Sequence, residues 1–170
     1  AAAAATGTTA RVHLKVDTGL GRNGAWGSDL EAVLAGAARA QAEQALEVVG
    51  IFSHFAYADA PAHPTVRAQQ ERFEAVLEQA ARAGVRPQVR HLANSAATLT
   101  NPSAHYDLVR PGLAVYGLSP VPDLGSPQDY GLREAMRLIA RLSSVKDAPP
   151  GQGVSYGHTW HADHDTTVGL

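Results

Sequence analysis

The sequence predicts an α/β fold whose final part turns all-β, and three observations carry that expectation. Strand-like and helix-like patterns alternate along the first 120 or so residues. Each strand ends in a short run of polar residues rather than in a bare turn. After Pro120 helical periodicity does not return. Strands alternating with helices imply a parallel sheet with right-handed crossovers. About four such units cannot close an eight-stranded barrel, which needs roughly 250 residues, so a barrel built from this chain holds only its later part.

The elements follow in order. Arg11 to Val16 alternates, with Val12, Leu14 and Val16 on one face, and predicts a strand. A glycine-rich loop runs from Thr18 to Gly27. Ser28 with Glu31 three residues later has the spacing of a capping box, and an Ala/Leu-rich amphipathic helix extends from there to about Ala45. Leu46 to Phe52 is the second strand, Ser53 to Pro64 a loop, and Val66 to Ala83 a helix that Gly84 can end in the left-handed conformation. Val89 to Leu92 predicts a third strand running into a small helix near Ser95, and Leu108 to Arg110 a fourth before Pro111 and Gly112. Beyond a loop rich in Pro, Gly and Asp, the runs Leu138 to Val145, Val154 to Trp160 and Thr166 to Leu170 read as strands, placing a domain boundary between about Pro120 and Arg137.

Composition narrows the function classes. The 170 residues are 45% hydrophobic and 18% charged, a globular rather than a disordered composition. Fourteen Lys and Arg against 16 Asp and Glu leave a formal charge of -2, which provides no electrostatic footprint for nucleic acid or an anionic membrane. A small neutral or zwitterionic substrate fits better. The absence of cysteine excludes disulfide staples and thiolate metal sites and agrees with a cytoplasmic setting. No run of 18 apolar residues predicts a membrane span, and the alanine-rich opening lacks the basic region of a signal peptide. A first residue other than Met and an ending in mid-strand lead us to expect an internal segment of a longer protein.

The chemistry sits at the strand ends. Gly19-Leu20-Gly21-Arg22-Asn23-Gly24 matches G-x-G-x-x-G after a strand, the pattern of a dinucleotide site. The helix begins four residues too late for that geometry, however, and the following strand ends in Ser53-His54, without the acidic residue that would bind a ribose. Lys15, Asp17 and Arg22 remain as charges around a tight loop, for which surface ion pairing is the default. His54 closes the second strand, His91 to Ser95 the third, and Arg110-Pro111-Gly112 the fourth. Asn94 or Ser95 alone reads as a helix cap. Polar groups at four successive carboxyl ends, where parallel sheets place their sites, are harder to assign to capping and packing alone. His158, His161 and His164 recur every third residue, but in a β region such spacing does not bring side chains together on a metal, so no metal site is expected.

These motifs, in this order, resemble the alanine racemase family. The resemblance rests on Val12-His13-Leu14-Lys15-Val16-Asp17-Thr18-Gly19-Leu20-Gly21-Arg22, Gly50-Ile51-Phe52-Ser53-His54-Phe55, His91-Leu92-Ala93-Asn94-Ser95, Asp107 to Pro120, and Gly153 to Trp160. It implies a partial (β/α)8 barrel that holds pyridoxal 5'-phosphate (PLP) over residues 1–125, then the start of a β-rich domain over residues 126–170. It also implies a homodimer in the full-length parent, alanine as substrate, and supply of D-alanine for peptidoglycan. By the same resemblance Asn94, Ser95 and the amides of Gly112 and Leu113 bind the cofactor phosphate, and Arg110 faces the pyridine nitrogen. A guanidinium does not give up its proton, so that nitrogen stays unprotonated and the cofactor is a weaker electron sink. Arg22 would contact the cofactor and the substrate carboxylate. Lys15 matches a lysine that many members carry carboxylated, and His54 and His91 belong to the surroundings of Arg110 and the cofactor.

Two departures bear on activity. The lysine to which the family attaches its cofactor lies in a motif this chain does not contain, since its only lysines are Lys15 and Lys146. The tyrosine that serves as the opposite base is also missing, and Tyr156 precedes its position. Racemisation needs one base on each face of Cα, so the chain alone is expected to be inactive. Two other readings are a non-catalytic PLP-binding barrel, disfavoured by the all-β tail, and a nucleotide-binding oxidoreductase, disfavoured by the missing acid.

Overall fold

The computed structural model describes residues 5–170. They form two compact units, one reaching to Ala135 and the other spanning Met136–Leu170. The division falls ten residues beyond the expected 125/126. The short 3-10 turn Gln128–Tyr130 and bonds from Ser119 Oγ to the Gly125 carbonyl and from the Ala135 amide to the Tyr116 carbonyl fold the intervening loop onto the first unit.

In the first unit, strands β1 (Ala10–Lys15), β2 (Leu46–Phe52) and β3 (Val89–His91) form a parallel sheet in the order β1-β2-β3. Helices α1 (Ser28–Ala42) and α2 (Pro64–Arg82) connect them, and α3 (Ser95–Thr100) follows β3. Each long helix buries one stripe: Leu30, Leu34 and Ala37 on α1; Val66, Phe73, Val76 and Ala80 on α2. The spacing of three or four residues is that of a single helix face packed on a sheet. β2 carries one extra residue, Val49, so its register slips between Val12↔Val48 and His13↔Gly50. Past the slip, His13 and Lys15 lie opposite Gly50 and Phe52, while Leu14 lies opposite the fully buried Ile51.

Several local expectations are corrected. The capping box does not form: Gly27, at φ 57°, is the N-cap, and Ser28 is already the first helical residue without a side-chain cap bond. The glycine serves because it alone enters the helix comfortably from that backbone region. The second helix starts at Pro64, with His63 Nδ1 accepting from the Thr65 amide at 3.2 Å, and Gly84 ends it at φ 84°. Leu108 to Arg110 forms no strand. It is held to β3 by the Asp107 and Arg110 amides, which donate to the carbonyls of Arg90 and Ala93, and by a bidentate Arg90–Asp107 ion pair at 2.7 and 3.0 Å.

In the second unit, β4 (Val145–Ala148) pairs antiparallel with β7 (Thr166–Gly169), and β5 (Gly153–Val154) with β6 (Trp160–His161). The expected strand from Leu138 to Val145 is realised only at its last residue. Leu138 and Ile139 are exposed and meet no partner strand among the described residues, and an apolar run without a ladder gains nothing from extension. The stretch Val154 to Trp160 is interrupted by a 3-10 turn over Tyr156–His158.

Candidate functional site

A cavity of about 350 Å³ opens at the carboxyl ends of β2 and β3 and is lined by His54, Phe55, Asn94, Ser95, Arg110, Gly112 and Leu113 among others. That volume suits a small cofactor or ligand. Its walls come from successive strand ends, so the parallel topology brings together residues that lie up to 66 positions apart, from His54 to Pro120.

Arg110 is the centre of the arrangement. Its Nη1 donates to His91 Nδ1 at 2.8 Å, and its Nη2 donates to the Ser53 carbonyl at 2.7 Å and to His54 Nδ1 at 3.3 Å. The guanidinium lies over the Phe52 ring, 5.4 Å from its centroid. Every partner is neutral, and no carboxylate pairs with Arg110 among the described residues. Burial weakens its hold on the charge, but an arginine remains a cation at any ordinary pH. A half-buried cation held only by neutral acceptors attracts an electron-rich ligand atom.

Burial, and then the positive charge of Arg110, depress the basicity of both neighbouring histidines: His91 is lowered to about 4, and His54 is lowered further by Arg22 and Lys15. Both rings are therefore neutral and present lone pairs to Arg110. His91, which the family resemblance includes among the cofactor contacts, is buried behind Arg110 and does not line the cavity.

Ser95 and Asn94 supply donors. Ser95 Oγ accepts from the amides of Gly112 at 2.8 Å and Ala114 at 3.3 Å, which leaves its own O–H free to donate. Asn94 caps α3 through Oδ1, accepting from the Ala97 amide at 3.1 Å, and its NH₂ makes no bond among the described residues. The Gly112 amide is thus already engaged by Ser95, whereas no atom stands within 4 Å of where a Gly112 Cβ would be. Free neutral donors, an open glycine and an uncompensated arginine fit a phosphorylated aromatic cofactor such as PLP.

The glycine loop has a different task. The Asp17 carboxylate accepts from the amides of Gly19, Leu20 and Gly21 at 2.8 to 2.9 Å, so the N–H groups that a pyrophosphate would need are satisfied within the chain. This removes the physical basis of the dinucleotide reading. The loop then returns to β1, where Ala25 bridges Val16, and a Cβ on Gly24 (φ 112°) would fall 2.8 Å from the Val16 carbonyl carbon. Lys15 bonds Asn23 and lies 5.8 Å over Phe52, while Arg22 is exposed and forms no hydrogen bond or ion pair among the described residues. Neither lines the cavity. Among the described residues no cluster of three or more potential metal ligands occurs.

Two contributors escaped the sequence reading. Gln69 is fully buried on α2, its Nε2 donating to the His54 carbonyl and Thr18 Oγ1, its Oε1 accepting from the Ala56 amide. It ties the loop after β1 to the loop after β2. Its signal was a polar residue on the apolar stripe between Val66 and Phe73. His13 is the second, bonded to His91 at 2.7 Å, and its signal was its place on the face of β1 opposite Val12 and Leu14.

An open parallel α/β unit with an arginine-lined cavity at its strand ends, followed by antiparallel β structure, places the chain among α/β proteins that bind a ligand at the carboxyl edge of the sheet. The family model described as "Alanine racemase, N-terminal domain" matches residues 1–120, and "Alanine racemase, C-terminal domain" matches residues 135–170. Alanine racemases of Frankia casuarinae and Streptomyces coelicolor are each 54% identical over 170 residues, which is 44% of their own length. The solved structure of the Streptomyces lavendulae alanine racemase superposes with a TM-score of 0.91 at 54% identity, over 98% of this chain and 44% of that one. The Bacillus anthracis enzyme, described with bound L-Ala-P, superposes with a TM-score of 0.71 at 28% identity over 95% of this chain and 42% of that one. The chain belongs to the alanine racemase family and spans less than half the length of these relatives.

Proposed function

We propose that this chain forms the later part of the PLP-binding barrel and the start of the C-terminal β domain of an alanine racemase that interconverts L-alanine and D-alanine. The observation that carries the reading is Arg110, a cation at a cavity wall, held by two neutral histidines and a carbonyl and balanced by no carboxylate. When bound, PLP would supply an electron sink for the carbanion that forms at the substrate Cα. Arg110, a guanidinium that does not give up its proton, would leave a ring nitrogen placed against it unprotonated and so would moderate that sink. The hydroxyl of Ser95, the amide of Asn94 and the backbone amide of Leu113 would hold the phosphate, with Gly112, its own amide held by Ser95, leaving room for the close approach. His54 and His91 fix Arg110. Arg22, on the loop that follows Lys15 at the end of β1, would meet the substrate carboxylate. The two catalytic bases come from outside this chain's residues, and a homodimer, cytoplasmic residence and D-alanine supply for peptidoglycan belong to the same reading through family membership.

The test is a PLP titration of the intact protein that carries this chain, followed by chiral analysis of alanine turnover. Ser95→Ala and Asn94→Ala should each weaken PLP binding by about tenfold or more, since a hydrogen bond to a charged acceptor contributes roughly 1.5 to 3 kcal/mol. Unchanged affinity in both variants, or absence of turnover in the loaded parent, would overturn the assignment.

A further inference from the structure

We propose that His13 is a positioning residue: it locks His91 in the tautomer that accepts a hydrogen bond from Arg110, a role that rests on the reading of Arg110 given above. The argument is one of donors and acceptors. A guanidinium has only donors, so His91 Nδ1, 2.8 Å from Arg110 Nη1, must offer a lone pair. A neutral imidazole then carries its proton on Nε2. That nitrogen lies 2.7 Å from His13 Nδ1, which must therefore be the acceptor, with the proton of His13 on its own Nε2. The three side chains form one chain of fixed direction, from Arg110 through His91 to His13. A proton on His91 Nδ1 would set donor against donor, leaving Arg110 with the Ser53 and Leu92 carbonyls and His54 on Nη2 alone.

The sheet is built around this chain. Register places Gly50 opposite His13, and a Cβ on Gly50 would fall 2.5 Å from Nδ1 and Cε1 of the His13 ring. The ring lies against bare backbone, and only glycine leaves it room. Two residues along β2, Phe52 is paired with His91 and stacks on it, with centroids 4.8 Å apart and planes 6° apart, while its ring also lies beneath Arg110. β1, β2 and β3 thus each contribute to holding the relay. Burial, and then the positive charge of Arg110, hold His91 neutral, as the relay requires.

His13→Leu and His13→Asn test the role in the intact holoenzyme, because the two side chains share a shape and differ in whether they can accept at the Nδ1 position. With ¹⁵N-histidine labelling, the unaltered protein and His13→Asn should show His91 with Nδ1 unprotonated and Nε2 protonated, and His13→Leu should show a mixture of tautomers. Turnover should fall about tenfold in His13→Leu, as for loss of a hydrogen bond to a charged group, and should largely recover in His13→Asn, with PLP affinity unchanged in both. Gly50→Ala, which displaces the His13 ring without altering any member of the relay, should resemble His13→Leu. A single Nε2–H tautomer with full turnover in His13→Leu, or an Asn variant as impaired as the Leu variant, would overturn the proposal. If His13→Leu does not fold, the spectrum of the unaltered protein still decides, since a protonated His91 Nδ1 contradicts the relay outright. The parent reading stands or falls separately on the phosphate contacts and on Arg110 itself.

Discussion

Arg110 Nη1 and His91 Nδ1 stand 2.8 Å apart, and the lone pair this demands of His91 connects the cavity wall to His13 on the open face of the sheet. Arg110 is consequently oriented by neutral partners alone. Its position is geometric rather than ion-paired, which makes its charge fully available to a ligand.

Replacing that charge should alter the electronics of the loaded enzyme more than its assembly. On the proposed placement of Arg110 against the ring nitrogen of PLP, Arg110→Gln would free that nitrogen to take up a proton and make the cofactor a better sink. A long-wavelength absorbance band should grow when alanine is added, while racemisation slows. If Arg110→Gln changes only PLP affinity and leaves spectrum and turnover of the saturated enzyme alone, Arg110 is a phosphate or structural contact instead.

Gln69 should report on stability as well as on the site. Gln69→Leu keeps the volume but strands the Ala56 amide and the His54 carbonyl, at about 1 to 3 kcal/mol for each buried group left unpaired, while Thr18 Oγ1 keeps its bond to Ser53 Oγ. Denaturant unfolding of the intact protein should register a loss of at least about 2 kcal/mol. A loss below the scatter of the measurement would mean that the two loops hold their conformation without it.

The neutral histidines predict acid sensitivity with a defined sign. Unfolded, His91 takes up a proton near 6.5; folded, only near 4. Between these values the unfolded state binds more protons, so stability falls as pH drops from 6.5 to 4, by about 3 kcal/mol for His91, and is insensitive to this residue above 6.5. His54 is lowered as well and acts in the same direction. Thermal melting across this window should show the decline, and His91→Asn should flatten it; an equally steep decline in that variant would assign the acid sensitivity elsewhere.

The 170 residues expressed by themselves should not interconvert L- and D-alanine at any PLP concentration. The cavity lining contains neither lysine nor tyrosine, and a one-sided or absent base cannot exchange the Cα proton on both faces. Conversion above the uncatalysed rate by this chain alone would show that a residue within it acts as a base.

The sequence by itself determined the alternation of parallel strands and helices, the change to β structure, and the residues at the strand ends, because each is a local pattern: period two, period 3.6, or a short motif. Arg110, Asn94 and Ser95 were legible for that reason. Interruptions of a pattern were not. The extra Val49 in β2 lies in an unbroken apolar run, and only pairing with β1 reveals that it shifts the face on which His13 and Gly50 meet. The failed capping box at Ser28 and the missing ladders at Leu108 and Leu138 have the same origin, since a capping bond or a strand exists only when a partner is in reach. The glycine loop matched a phosphate-binding pattern until Asp17 was found on its amides. Tertiary structure alone decided which donor meets which acceptor, and therefore which tautomer His91 holds, because hydrogen bonds between residues 78 and 19 positions apart leave no periodic trace in the chain.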